Sequence, residues 1–138
     1  MAGAARDMAV VQLHSDQDVV RVRIMVRESL VALGFGLIDQ TKLITAASEL
    51  ARNTLTYGGG GEAHVTTIAD GARNGIRLAF IDQGPGIADV ALALTDGYST
   101  GNGLGLGLSG AKRLADEFEL TTELGKGTTV VIIRWKVF

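Results

Sequence analysis

Apolar residues recur along this chain with two different periods. A spacing of three to four residues, as at Val19, Val22, Val26 and Leu30, predicts helices. Alternation with a period of two, as on either side of Arg77, predicts strands with one buried face. In chain order the patterns predict a strand at 8–14, helices at 17–33 and 40–56, strands at 63–69 and 75–81, a short helical piece at 88–95, a helix at 108–118, and strands at 118–123 and 128–137.

This order of elements predicts the fold class. The strands come in adjacent pairs, which favours antiparallel hairpins over parallel crossovers. We therefore expect an α+β protein, a two-layer sandwich in which helices cover one face of a mixed, largely antiparallel sheet. Asp39 is the expected cap of the second helix, residues 1–7 are expected to form a flexible tail, and residues 8–138 a single domain.

Composition narrows the class of protein. Hydrophobic residues make up 46% of the 138 residues and charged residues 20%, which is an ordinary globular balance. The absence of Cys excludes disulfide frameworks and Cys nucleophiles. The formal net charge is -2 and no basic cluster stands out, so we expect no nucleic-acid partner. No apolar run reaches the ~18 residues of a membrane span, so we expect no membrane partner and a cytoplasmic location.

Glycine is the one unusual component. It occurs 19 times, whereas Pro occurs once. The average glycine content is about 7%, so the excess is roughly twofold. Glycine excess without a Pro or Ser bias indicates special backbone conformations or a close approach of the backbone to a ligand.

Three segments carry candidate chemistry. Glu49 and Asn53 lie four residues apart on a predicted helix and therefore share a face. An amide oxygen suits Mg²⁺ and a carboxylate can accept a proton, although such pairs also occur on solvated helix faces. Asp82, Gly84 and Gly86 follow an apolar strand, where a partly desolvated carboxylate needs a donor such as the amine of a purine. A local turn with Asp as its cap is the alternative.

The third segment is a run of alternating glycines that leads into a helix. Backbone N–H groups at the start of a helix attract phosphate. We therefore favour a phosphate-binding site over an ordinary flexible loop as the interpretation of this run. No Lys-Ser/Thr pair follows, which excludes a P-loop. The run comprises Gly101, Gly103, Leu104, Gly105, Leu106, Gly107 and Leu108.

The order and spacing of these segments, closed by Gly125-Lys126-Gly127-Thr128 before the last strand, resemble the GHKL superfamily of ATP-binding domains, with its Bergerat α/β sandwich. Within it, the segments ASELARN (47–53), DQGPGI (82–87) and DGYSTGNGLGLGLSGAKRLADEF (96–118) are similar to the RsbT family of serine/threonine switch kinases. That resemblance implies a kinase that phosphorylates STAS-domain proteins of the stressosome and then activates a PPM-type phosphatase by binding it.

The resemblance also implies site roles and two ligands, ATP and Mg²⁺. Glu49 corresponds to the catalytic base, Asn53 to the Mg²⁺ ligand and Asp82 to the carboxylate that reads adenine. The remaining expected nucleotide contacts are Gly84 and Gly86 beneath the base, Ser99 and Thr100 as lid anchors, Gly103, Leu104, Gly105, Leu106 and Gly107 in the phosphate lid, and Thr128 near adenine. The alternative function is a nucleotide-binding anti-sigma factor, similar to SpoIIAB, that regulates by partner binding.

Overall fold

A computed structural model describes residues 4–95 and 107–136. Its elements follow the predicted order. They are β1 (Ala4–Leu13), α1 (Asp16–Ala32), α2 (Leu37–Thr56), β2 (Gly61–Asp70), β3 (Arg73–Asp82), α3 (Val90–Ala93), α4 (Gly107–Leu114), β4 (Glu117–Glu123) and β5 (Gly127–Trp135).

The strands form a five-stranded sheet in the order β1-β2-β3-β5-β4. Every pairing among the described strands is antiparallel, which confirms the α+β class and the expectation of a largely antiparallel sheet. Two hairpins account for much of this order, because β2–β3 and β4–β5 are joined by short turns. The β3–β5 pairing joins the hairpins and sets Asp82 opposite Thr128.

One face of the sheet packs against the helices. The predicted apolar stripes of α1 and α2 are buried there, with Val22, Leu30 and Leu43 fully inaccessible to solvent. Strand residues that point to this face, such as Leu78 and Ile132, belong to the same cluster. Full burial of one such side chain contributes about 1.5–3 kcal/mol, so this layer holds α2 firmly against the sheet.

The other face of the sheet carries a smaller apolar cluster. Ile68, Ala79, Val131, Ile133 and Trp135 form it, in alternation with the residues that face the helices. Trp135 is 4% exposed, and the guanidinium carbon of Arg73 lies 4.0 Å from the centroid of the Trp135 ring. Trp135 therefore has the packing role that a large apolar residue in a strand usually has.

The observed start of the first strand corrects the prediction of a flexible N-terminal tail. β1 begins at Ala4, four residues before the predicted start at Met8, and Ala4 pairs with Ala69 of β2. The expected flexible tail over residues 1–7 is therefore wrong from Ala4 onwards. A register shift between Ala5 and Asp7 interrupts the regular apolar alternation, which explains why the pattern did not reveal the strand start.

Two helix boundaries also differ from the prediction. Gly36, not Asp39, is the cap of α2, and the Asp39 carboxylate instead accepts a hydrogen bond from Arg134 at 2.9 Å. α4 ends at Leu114 and not at residue 118. The chain turns there because the Asp116 N–H donates to the Ile133 carbonyl, which starts the pairing of β4 with β5.

Candidate functional site

A cavity of about 450 Å³ opens between α2, the end of β3 and the start of α4. This volume lies within the range of small-molecule sites, roughly 300–1,000 Å³. Its wall is mostly apolar with a few polar groups. The lining residues are Glu49, Leu50, Asn53, Thr54, Tyr57, Phe80, Asp82, Pro85, Gly86, Ile87, Ala88, Asp89, Leu92, Ala93, Gly107, Leu108, Thr128 and Val130.

Helix α2 supplies two of the predicted polar groups. Glu49 and Asn53 are one turn apart on the helix face that lines the cavity, as their spacing predicted. Glu49 is 7% exposed, and its Oε1 atom accepts a hydrogen bond from Arg52 Nη1 at 3.2 Å. The Arg52 side chain is half exposed, so it approaches Glu49 from the solvent side and pairs with one of the two carboxylate oxygens.

The carboxylate of Asp82 is fixed by backbone donors at the end of β3. Its Oδ1 atom accepts hydrogen bonds from the N–H of Gly84 at 2.9 Å and from the N–H of Thr128 at 3.2 Å. The two donors come from segments 44 residues apart in sequence, and the β3–β5 register brings them together. Asp82 is therefore held in one orientation on the cavity wall.

Thr128 joins this arrangement through a second threonine. The hydroxyl oxygens of Thr128 and Thr122 are 2.9 Å apart. Thr122 Oγ1 also accepts a hydrogen bond from the Ile87 N–H at 2.9 Å. Thr122 thus connects β4 to the loop after β3, and the sequence contained no motif that singled it out.

The glycines of the predicted motif differ in their roles. Gly86 has φ 79°, and a Cβ there would lie 2.5 Å from the Glu123 carbonyl oxygen, so both conformation and space require glycine. Gly86 lines the cavity. Gly84 does not: it packs against Gly58, whose Cα would lie 2.7 Å from a Cβ at position 84. The position of Gly84 beneath a base stays a prediction.

The glycine-rich run is described only at its end. Gly107 is the first residue of α4, has φ 47° and lines the cavity next to Leu108. The other predicted nucleotide contacts of this region lie outside the described residues. They are Ser99, Thr100, Gly103, Leu104, Gly105 and Leu106.

Several cavity residues were missed by the sequence motifs. Tyr57 and Leu92 are both 45% exposed although they are large and apolar. Each lies on the cavity wall, together with Val130. The sequence spacing could have indicated Tyr57, because it follows Asn53 by one helical turn and so lies near the same helix face. The others depend on packing between distant segments, which no local pattern reports.

Comparison with known proteins assigns the family. The family described as histidine kinase-, DNA gyrase B-, and HSP90-like ATPase matches residues 38–137. The serine/threonine-protein kinase RsbT of Bacillus subtilis (strain 168) is 43% identical over 129 residues, which cover 94% of this chain and 97% of that protein. This chain belongs to the RsbT-type serine/threonine-protein kinases. The resemblance expected from the motifs is confirmed.

A solved structure supports the fold of this RsbT-type kinase. The RsbU and RsbW domains of Rv1364c from Mycobacterium tuberculosis match with a TM-score of 0.65 and 19% identity. The match covers 96% of this chain but 34% of that longer chain. At this identity the likeness shows the fold alone.

The family defines the reaction class. The protein is a protein serine/threonine kinase, and its ATPase-type domain uses ATP. Within residues 4–95 and 107–136, no helix is both long and apolar enough to cross a membrane.

Proposed function

We propose that this kinase phosphorylates STAS-domain proteins of the stressosome and, once released from them, activates a PPM-type phosphatase in a sigma-factor stress pathway. The observation that carries the proposal is the 43% identity with RsbT over nearly the full length of both proteins. The cavity adds support, because it gathers Glu49 and Asn53 of α2, Asp82 of β3 and Thr128 of β5, four residues from three separate elements.

The cavity is suited to a nucleotide at its Asp82 end. An anchored carboxylate beside apolar walls is a good acceptor for the exocyclic amine of adenine, because the amine would otherwise lose its hydrogen bonds to water. Ile87 and Val130 provide apolar surface for a flat base. Gly107 begins α4, and N–H groups at a helix start favour phosphate. We assign adenine to the Asp82 end and the phosphates to the α4 end.

The wall formed by α2 is suited to the transfer itself. The Asn53 amide oxygen is a neutral, hard ligand, and with phosphate oxygens and water it fits Mg²⁺. When bound, Mg²⁺ would neutralise charge on the phosphates. Glu49 would accept the proton from the incoming Ser or Thr hydroxyl. Arg52 holds one of the Glu49 oxygens, which leaves the other oxygen to take this proton.

The test is a transfer assay with purified proteins. The kinase, Mg²⁺ and radiolabelled ATP are incubated with a STAS-domain protein, with EDTA in a matched reaction. We expect label on the STAS protein only when Mg²⁺ is present. Stimulation of the phosphatase is then measured with unphosphorylated and fully phosphorylated STAS protein, and only the second should release active kinase. No transfer together with tight capture of a sigma factor would replace this proposal with the anti-sigma function.

A further inference from the structure

The two oxygens of the Asp82 carboxylate have different surroundings. Oδ1 accepts the two backbone hydrogen bonds from Gly84 and Thr128. No donor among the described residues makes a hydrogen bond to Oδ2, although Asp82 lines the cavity. Oδ2 is therefore the oxygen that remains available for a ligand.

Gly58 lies directly against this second oxygen. It follows Tyr57, the C-cap residue of α2. A Cβ at Gly58 would lie 2.6 Å from Asp82 Oδ2 and 2.5 Å from Asp82 Cβ, and its three nearest neighbours would all be atoms of the Asp82 side chain. Gly58 is not among the glycines with positive φ, so its backbone would accept Ala. Glycine is required here because no space is left for a side chain beside Asp82, and not because of the backbone conformation.

We propose that Gly58 is a positioning residue that determines base specificity, because its missing side chain lets Asp82 present Oδ2 to the ligand. The inference rests on the proposed role of Asp82 in reading adenine. A methyl group at position 58 would force the carboxylate to rotate or shift. Either movement weakens the hydrogen bonds to Gly84 and Thr128 and takes Oδ2 out of its place on the wall. The acceptor for the adenine amine is then lost, while the rest of the cavity keeps its lining.

The test compares two nucleotides in a Gly58→Ala variant. ATP carries the exocyclic amine, whereas inosine triphosphate carries an oxygen in its place. Affinities of both are measured by calorimetry. We expect Gly58→Ala to lower the ATP affinity about tenfold or more, as for a lost hydrogen bond to a charged group, and the inosine triphosphate affinity much less. The ratio of the two affinities therefore falls, which a general loosening of the cavity would not cause.

Gly59→Ala is the matched control. Gly59 is the next residue, has φ 74°, and a Cβ there would meet no atom within 4 Å. This variant strains the same loop without touching Asp82, so we expect the affinity ratio of the parent. A ratio that falls equally in both variants would overturn the role of Gly58.

A double-mutant cycle measured by unfolding tests the inference even if Gly58→Ala destabilises the protein. Asp82→Gly removes the three atoms that would lie nearest to the new methyl group. The free energy of unfolding lost through Gly58→Ala should therefore be clearly smaller in the Asp82→Gly background than in the parent. An equal loss in both backgrounds would show that the contact with Asp82 is not the cause, and would overturn the inference.

The same variants separate this inference from the proposed function. If Asp82→Gly lowers the affinity ratio but Gly58→Ala does not, Asp82 still reads the base and only the role of Gly58 is wrong. If Asp82→Gly leaves the ratio unchanged, the adenine assignment itself fails and the role of Gly58 falls with it. If both lower the ratio and the double variant lowers it no further, the two residues act as one unit.

Discussion

Replacement of Glu49 by Gln tests the chemistry of the site most directly. The substitution keeps the size of the side chain and an oxygen that can accept from Arg52, but it removes the negative charge and the basic lone pair. Glu49 is 7% exposed and lies on the wall next to Asn53. A general base contributes about 10²–10⁴-fold to a rate, which corresponds to roughly 2.7–5.5 kcal/mol in the barrier.

The effect on folding should be much smaller. The Glu49–Arg52 pair has an N···O distance of 3.2 Å, and the Arg52 side chain is 52% exposed. Solvent screens such a pair, and pairs of this kind contribute about 0–1 kcal/mol to stability. The neutral Gln also retains a hydrogen bond to Arg52. The predicted loss of activity is therefore several times larger, in free energy, than the predicted loss of stability.

The assay is single-turnover phosphate transfer to a STAS-domain acceptor, combined with calorimetry for ATP and thermal unfolding. We expect a rate 10²–10⁴-fold below the parent, with ATP affinity and melting temperature close to the parent. Glu28→Gln on α1 is the matched control, because it removes the same charge from an exposed position outside the cavity. A Glu49→Gln protein that transfers phosphate at the parent rate would refute the assignment of the base.

Three further outcomes follow from particular contacts. Asp82→Asn should weaken ATP binding by about 1–3 kcal/mol, because the amide either points its NH₂ at the backbone donors or presents it to adenine; calorimetry measures this, and parent affinity would remove Asp82 from the pocket. Asn53→Ala should abolish Mg²⁺-dependent transfer in a protein with parent-like circular dichroism, whereas transfer at the parent rate would exclude Asn53 as the metal ligand. Hydrogen bonds from the His14 N–H, then from Arg21 and the Ser15 N–H, hold the pKa of Asp18 below its usual value; the charged form therefore stabilises the fold above about pH 4 and this contribution disappears as pH falls further. Asp18→Asn should be less stable than the parent in chemical unfolding at pH 7, with a smaller difference at pH 3, and a difference independent of pH would contradict this.

The sequence predicted those features of the fold that depend on local periodicity. Every residue of the stripe Val19, Val22, Val26 and Leu30 is buried in α1. Such a stripe predicts a buried helix face in almost any tertiary context, because the 3.6-residue period places these side chains on one side. The hairpin of β2 and β3 was likewise predicted, because two strand patterns follow each other closely along the chain.

The ends of elements depended on partners that the local sequence does not specify. β1 extends back to Ala4 because Ala69 of β2 offers backbone groups for pairing. α4 stops at Leu114 because Asp116 forms hydrogen bonds with Ile133 and Trp135 on β5. A strand or helix ends where another partner satisfies its N–H and C=O groups better, so its boundary is a property of the folded chain.

The features of the site also separate into those set by local sequence and those set by tertiary contacts. The sequence by itself determined the residue types and their local spacing, which place Glu49 beside Asn53 on one helix face and Asp82 at a strand end. Only the tertiary structure decided that Asp82 meets Thr128, that Thr122 supports both, and that Gly58 borders the carboxylate. Local spacing fixes neighbours within a helix through backbone geometry alone, whereas these contacts join segments up to 46 residues apart. They exist because the pairing of β3 with β5 and the packing of α2 on the sheet satisfy backbone groups and bury apolar surface across the whole domain.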